Sequence, residues 1–353
     1  MHPTDAGTFS DRVQAALEAF AEHQRERLLQ AGPYAGTLVD AALASASGGK
    51  RLRAAFCEQG WRAAGGGDDP RLLTAAAALE WLQASALVHD DLIDGSDIRR
   101  GRPSMHRWFA GQHQAAGWRG DPDGYGEAAA VLLGDLMLSW TDEMFRACGL
   151  GPERVAAALP YLDACRTEVV AGQFLDVVAQ ASGDSDLEAA MRVVLFKSAK
   201  YTVERPLHLG ASLAGADAGL LASLSDFGVP IGQAFQLRDD VLGVFGDAEL
   251  TGKPAGDDLR EGKRTVLLAH AYTGSDPEER RLLDRLVGDP KLDAGQVAEL
   301  RDVIESTGAL QAVEDSITSL HRQAVAALDT AAVSEVARVS MRELAARSVR
   351  RSS

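Results

Sequence analysis

Apolar residues recur along this chain at helical spacing, with no strand-like alternation anywhere. Phe9, Val13, Leu17 and Phe20 set an amphipathic first helix, and a second helical segment follows Gly36 and ends near SASGGKRLR. The connector GGGDDP, residues 65–70, opens a long helix over residues 71–94. In that helix Leu79, Gln83, Ala86 and Asp90 fall near one face. RGDPDGYG, residues 119–126, reads as a loop, and AAAVLLGDLMLSWTDEMF behind it as a core helix. Residues 153–180 predict another helix, with Gln173 and Asp176 one turn apart, closed by ASGDSD. Residues 187–216 predict a helix kinked or broken at Pro206. Residues 226–247 predict an acidic helix, whereas TGKPAGDDLREGKRT, residues 251–265, is too glycine-rich and irregular for one. From 265 onward the helical pattern returns, with Val297, Leu300, Val303, Ile304, Leu310, Val313, Ile317 and Leu320 forming its stripe. The expectation is one all-α domain over residues 1–353, with residues 1–8 frayed and 346–353 a polar tail.

Composition narrows the class without naming a chemistry. Charged residues make up 25% and apolar residues 46%, ordinary for a soluble globular protein. A formal net charge of -15 argues against a nucleic-acid partner. It does not argue against phosphorylated substrates, because a bound divalent cation reverses the local sign. Cys57, Cys148 and Cys165 fit no pairing or metal spacing, so free thiols in a reducing compartment are expected. No apolar run approaches the ~20 residues needed to span a bilayer. The opening MHPTDAGTFSDRV carries no basic-then-apolar signal pattern, so a cytoplasmic location is expected.

Two acidic stretches interrupt this scaffold. LVHDDLIDGSDIRRGRPSMH, residues 87–106, places Asp90, Asp91 and Asp94 just ahead of Arg99 and Arg100. FQLRDDVLGVFGD, residues 235–247, echoes it with Asp239, Asp240 and Asp247. Asp90 and Asp94 lie one turn apart, about 6 Å along a helix axis. Two carboxylates about 5 Å apart repel by roughly 3 kcal/mol at an effective dielectric of 20, so a group of them calls for cations. Mg²⁺ takes hard oxygen ligands and bridges carboxylates to substrate phosphates. A diphosphate held in that way becomes a good leaving group, since its developing charge is already met. A solvated acidic face is the plain alternative, but the apolar LQASALVH before Asp90 puts these acids at the end of a buried face. Gly48 and Gly49 precede Lys50, Arg51 and Arg53, which reads either as a solvated helix start or as an anion site with exposed backbone N–H groups. His89 reads as a packing residue more readily than as a group tuning Asp90.

As an ordered set, GGKRLR, HDDLIDGSDIRRGRP, GQFLD, FKSAKYT, FQLRDDVLGVFGD and GKPAGDDLREGKRT resemble the trans-isoprenyl diphosphate synthases, the polyprenyl synthetase family. The likeness covers roughly residues 45–265, and any one motif alone would be weak. It implies a bundle of about a dozen helices around a deep central cavity, commonly a homodimer. It implies about three Mg²⁺ ions per active site, held between two Asp-rich helices that face each other. The substrates implied are isopentenyl diphosphate and an allylic diphosphate, joined head to tail through an allylic carbocation.

Carried onto this sequence, Asp90, Asp91, Asp94, Asp239 and Asp240 resemble the metal ligands. Arg99 resembles the contact to the allylic diphosphate, with Lys197, Lys253 and Lys263 beside it. Lys50, Arg53 and Arg100 resemble the clamp on isopentenyl diphosphate, and Gln83 stands where many members carry a His with that role. Ser198 and Gln236 resemble the polar groups whose oxygens face the carbocation, and Gln173 with Asp176 matches a supporting motif. Gly243 replaces the third Asp of the second motif. Ser85 and Ala86 fall where aromatic residues close the pocket early in short-product members. Two small residues imply a product longer than farnesyl, with geranylgeranyl diphosphate the expected one. A class I terpene cyclase would also use DDxxD and Mg²⁺, but its second metal motif is usually built on Asn and this chain has none. A non-catalytic partner subunit would have lost Asp or Arg from the motifs, and only Gly243 points that way.

Overall fold

The computed structural model describes residues 8–246 and 256–349. Thr8 caps α1 (Phe9–Leu29) in a reciprocal box with Asp11, which sets where the helix begins. The 3₁₀ turn Pro33–Gly36 leads to α2 (Thr37–Ala46), α3 (Leu52–Ala63) and α4 (Pro70–Ile93). Asp69 caps α4 and Pro70 fills its first position, where a missing N–H costs nothing. After the short strands β1 (Ile98–Arg99) and β2 (Arg102–Pro103) come α5 (Met105–Ala115), α6 (Pro122–Arg146) and α7 (Pro152–Ser182). A continuous helical run follows: α8 (Leu187–Val193), a π-helical segment (Val194–Glu204) and α9 (Arg205–Ala214). α10 (Ala218–Phe245), α11 (Asp257–Glu261), α12 (Val266–Gly274), α13 (Pro277–Leu286), α14 (Ala294–Ser306), α15 (Ala309–Thr330) and α16 (Glu335–Val349) complete the described chain. The fold is all-α, as expected.

Four local features differ from the sequence pattern. Residues 119–126 are not all loop: Asp121 caps α6 through the Asp123 and Gly124 N–H groups, and Pro122 starts the helix ahead of its two glycines. The run 187–214 is not broken at Pro206. The ring has no N–H and crowds the carbonyl four residues back, and the chain widens into the π segment just before it. The segment 251–265 contains a helix after all, α11, bounded by left-handed Gly256 and Gly262. Residues 98–103 form a hairpin too short for alternation to reveal, with Ile98 opposite Pro103 and Arg99 opposite Arg102. Arg100 and Gly101, its two turn residues, both have positive φ, as a tight hairpin turn requires. Asp247 and Lys253 lie outside the described residues, as do residues 1–7 and 350–353. The last helix carries Ser348 and Val349 into burial, so the stretch from 346 to 349 is packed helix.

The chain divides into two compact units, residues 1–160 with 209–216, and residues 161–208 with 217–353. In the first, α4 is the central rod, packed by α6, α3, α1 and α2. Trp81 is fully buried, with its ring against Phe20 and Trp140, and Leu79, Phe56 and Leu133 of the same unit are buried as well. Removing such a large buried ring typically costs about 3–5 kcal/mol. In the second unit α10 is the rod, packed by the π segment, α15 and α16 around Phe227, Ile231 and Leu237. Two glycines permit its closest approaches. A Cβ on Gly172 of α7 would strike the Lys197 backbone, 2.6 Å from its Cα, and one on Gly232 of α10 would lie 2.5 Å from Ala199 Cα. The π segment is therefore gripped by bare backbone from two helices. Cys57, Cys148 and Cys165 are free and buried. Among the described residues, no helix is long and apolar enough to cross a membrane.

Candidate active site

The first acidic motif occupies the last turn of α4, with Asp94 as its C-cap. This is the negative end of the helix macrodipole, and the turn contains no basic residue. Three carboxylates at such a place favour cation binding on charge alone. Asp91 is 3% exposed. The β1–β2 hairpin supplies the counter-charge. Arg99 Nε donates to Asp91 Oδ1 at 2.7 Å, and its terminal nitrogen reaches Asp91 and, at 3.5 Å, Asp90 Oδ2. The hairpin is tethered by Arg107, which bonds Asp97 at 2.5 Å and Asp123 of α6 at 2.9 Å.

Beside these acids lies a group of guanidiniums. Arg100 turns back from the hairpin and donates to the Ser47 carbonyl at 2.8 Å. A Cβ on Gly49 would come within 3.1 Å of that side chain, which is why the loop before α3 is glycine there. Although Arg100 as a residue is exposed, desolvation of its guanidinium head, followed by repulsion from Arg99, Arg51 and Arg53, pushes its pKa below the ordinary arginine value. Like charges gathered in this way make a site for an anion. Arg53 is half-buried in the first turn of α3, Lys50 is exposed before it, and Gln83 is half-buried on α4, two turns ahead of Asp90. Arg51 has a structural task instead. It sits in the left-handed region at the N-cap of α3, 4% exposed, and pairs with buried Glu80 at 3.3 Å while a second nitrogen bonds Gln14. Glu80 also accepts from the Ala54 N–H at 3.3 Å. The sequence offered one signal for this pair, an acid set inside the apolar run LEWL.

Ser85 is buried and its hydroxyl donates to the Gly134 carbonyl of α6 at 2.8 Å, while Ala86 is half-buried. His89 also faces α6. A Cβ on Gly134 would fall 2.6 Å from its Cε1, and its Nε2 lies 3.2 Å from the Val131 carbonyl oxygen and 3.7 Å from Asp135 Oδ1, so the ring is held against α6.

The second unit holds the other candidates. Lys197 Nζ bonds buried Asp176 of α7 at 2.6 Å, and Ser198 beside it is 5% exposed. On α10, Gln236 donates from its amide nitrogen to Asp240 at 2.8 Å. Asp240 is 5% exposed. Burial pushes its carboxyl up to about 8, against the hydrogen bond from Gln236, and the charges of Asp258, Asp239 and Asp176 add to the rise. Asp239 follows Arg238, whose two terminal nitrogens grip Glu314 of α15 at 2.5 and 2.7 Å and so fix the start of the motif. Asp258 of α11, not singled out by the sequence, belongs to this carboxylate group, and Lys263 lies near it at 3.7 Å. Its position relative to α10 depends on chain folding across 257–261, which no spacing rule reveals. Among the described residues, no three His, Cys, Asp or Glu side chains enclose a metal by themselves. The donors nevertheless suit a hard divalent cation: they are carboxylate oxygens, crowded in one unit and placed at a helix C-terminus in the other.

The pattern of the polyprenyl synthetase family matches residues 37–304. A solved structure of geranylgeranyl pyrophosphate synthase from Corynebacterium glutamicum, complexed with isoprenyl diphosphate and magnesium, is 40% identical. It superposes with a TM-score of 0.95, covering 99% of this chain and 100% of that one. The geranylfarnesyl diphosphate synthase of Aeropyrum pernix is 31% identical over 76% of this chain and 79% of its own. The geranylgeranyl diphosphate synthase of Methanosarcina mazei is 33% identical over 74% of this chain and 73% of its own.

Proposed function

Since this chain belongs to the polyprenyl synthetase family and is a prenyltransferase of the trans-prenyl diphosphate synthase kind, we propose that it extends an allylic diphosphate with isopentenyl diphosphate to geranylgeranyl diphosphate. The observation that carries the reading is the close pairing, within one unit, of acids at the end of α4 with the Arg99–Arg100–Arg53 group. A cation site and an anion site side by side suit a metal-bound diphosphate. The small residues Ser85 and Ala86, together with the 40% identity to a geranylgeranyl pyrophosphate synthase, support the product length. The likeness to a geranylfarnesyl diphosphate synthase supports a second reading, a product one isoprene unit longer.

Asp90, Asp91, Asp94, Asp239 and Asp240 hold Mg²⁺, about three ions per site when substrate is bound. When bound, the metal supplies Lewis-acid stabilisation of the departing diphosphate. Arg99, Lys197, Lys253 and Lys263 grip the allylic diphosphate. Lys50, Arg53, Arg100 and Gln83 fix isopentenyl diphosphate, which must stay put while the other diphosphate leaves. Guanidinium forks suit the first task and ammonium groups the second. The allylic C–O bond breaks, its electron pair leaving with diphosphate, and Ser198 and Gln236 turn oxygens to the cation. The isopentenyl double bond attacks, and a proton passes to the departing diphosphate.

The enzyme acts as one functional domain, in the cytoplasm, as a homodimer. Val170, Phe174 and Val178 recur one turn apart on α7 and remain 63%, 66% and 44% exposed, an apolar stripe of the kind that covers itself by association. Mass spectrometry of products from dimethylallyl, geranyl and farnesyl diphosphates tests the reading. A C20 product supports it, a C25 product favours the second reading, and no elongation with any of the three overturns both. Ala86→Phe is expected to shorten the product. Ser85→Phe is the harsher version, because it also removes the bond to α6. Unchanged length in Ala86→Phe contradicts a channel running past this position.

A further inference from the structure

Lys197 and Ser198 both lie in the π-helical segment Val194–Glu204. A π turn is rare, so contacts from outside the segment must hold it. Its last backbone bond runs from the Arg205 N–H to the Lys200 carbonyl, five residues back. The side chains of those same two residues meet on Glu168 of α7. Arg205 grips both Glu168 oxygens, through Nε and a terminal nitrogen, at 2.7 Å each, and Lys200 Nζ reaches Oε1 at 3.0 Å. On an α-helix, residues five apart point about 140° away from each other and do not face one carboxylate. We propose that Glu168 is a positioning residue for the reaction: by drawing Lys200 and Arg205 together it selects the π register, and that register sets where Lys197 and Ser198 meet the allylic substrate. The inference rests on the roles proposed above for Lys197 and Ser198.

The face of α7 that carries Glu168 is a template for the segment. Glu168, Gly172 and Asp176 follow one another at four-residue steps and so share that face. Glu168 takes the C-terminal end of the segment. Gly172 admits its backbone, since a Cβ there would strike Lys197. Asp176 takes the Lys197 side chain, at 2.6 Å from Nζ. Eight residues separate Glu168 from Asp176, and eight separate Lys197 from Arg205. With Glu168 neutral, the segment is free to turn back toward α geometry and to carry the Lys197 side chain with it. The charges are shielded from water: the side chains of Glu168, Lys200 and Arg205 are 17%, 19% and 13% exposed. Losing one partner of such a group is therefore felt strongly. Buried Glu204 balances the second cation, at 3.7 Å from Lys200 and 3.8 Å from Arg205, and accepts from the Ser225 hydroxyl of α10 at 2.7 Å. Glu204 belongs to the segment and turns with it, whereas Glu168 ties the segment to a second helix.

Steady-state kinetics of the full chain with geranyl and isopentenyl diphosphates tests this on Glu168→Gln, which keeps the shape and removes the charge. The KM for geranyl diphosphate is expected to rise about tenfold and kcat to fall by about 10- to 100-fold, as small misplacements at reacting atoms do. The KM for isopentenyl diphosphate, whose proposed grip lies in the first unit, is expected to stay within about twofold. Adding Arg205→Gln to Glu168→Gln is expected to cost little more, because both release the same contact. Wild-type kinetics in Glu168→Gln, equal rises in both KM values, or losses that simply multiply in the double variant overturn the proposal. Hydrogen exchange reads the register without turnover: peptides spanning 194–205 are expected to exchange faster in Glu168→Gln, and unchanged exchange there also overturns it. If Glu168→Gln melts at the working temperature, Lys200→Gln decides alone, since it leaves the Arg205 fork on Glu168. A loss selective for geranyl diphosphate then supports the proposal, and wild-type kinetics or an unselective loss overturns it. Lys197→Ala separates the levels. If it raises the KM for geranyl diphosphate while Glu168→Gln does not, the reading of Lys197 stands and the positioning role falls. If it leaves that KM at the wild-type value, both fall.

Discussion

The two acidic motifs read alike in sequence and are built in opposite ways. The acids at the end of α4 come with their counter-charge, Arg99, on a hairpin nine residues downstream of Asp90, and Asp91 is held in an ion pair. On α10, Asp240 is buried, Asp239 is half-buried, and other carboxylates lie near Asp240. Asp240 has an amide as its hydrogen-bond partner and a carboxyl raised to about 8. Asp91 is thus paired with an arginine, whereas Asp240 favours keeping its proton. A shared letter pattern thus conceals two electrostatic solutions to the same crowding.

The sharpest way to break this contrast is to remove one acid from each. Asp90→Ala and Asp239→Ala are each expected to lower kcat by about 10³-fold, in the range seen when a group stabilising developing charge is lost. Steady-state kinetics with saturating substrates checks this. If either variant keeps near wild-type kcat, the two motifs do not act on the same leaving group.

A second, smaller effect separates the scaffolds. Glu80→Gln leaves Arg51 buried without its charge partner and is expected to cost about 3 kcal/mol of stability. Thermal melting reads it. Because Arg51 neighbours Arg100, the KM for isopentenyl diphosphate should rise more than that for the allylic substrate. Equal changes in both would mean that the arginine group is not divided between two substrates.

A third effect concerns the second unit alone. Burial by itself would raise the Glu168 carboxyl, but hydrogen bonds from Arg205 and Lys200 outweigh it and leave the group below the ordinary 4.5. A lowered carboxyl contributes stability above its unfolded value, lost as pH falls through the folded value. Wild-type protein is therefore expected to lose stability below about pH 4.5, and Glu168→Gln to show a flatter profile there at about 1–2 kcal/mol lower stability at neutral pH. Parallel acid profiles would contradict the assignment.

Much of this architecture is legible in the residues. α1, α4 and α10 follow from apolar spacing, and their acidic ends from composition at fixed positions. What escapes is set by contacts over distance or by short chain. The π register of 194–204 sits against the bare backbones of Gly172 and Gly232 and just ahead of Pro206, a setting that no periodicity encodes. The α6 start at Pro122 is hidden by two glycines that would usually mark a loop, although the Asp121–Pro122 cap was there to read. The pairing of Arg51 with Glu80 spans 29 positions, and that of Asp258 with the space at Gly243 joins two helices. Sequence spacing locates acids on a helix face and is silent on which other element fills a gap in that face.

In the proposed reaction both motifs would serve one diphosphate. Anomalous diffraction from crystals grown with Mn²⁺ and inorganic diphosphate measures this directly. The expected result is Mn²⁺ peaks about 2 Å from carboxylate oxygens of both Asp90 and Asp239, bridged by a single diphosphate. Peaks confined to one motif, or two metal sites with no diphosphate in common, would contradict it.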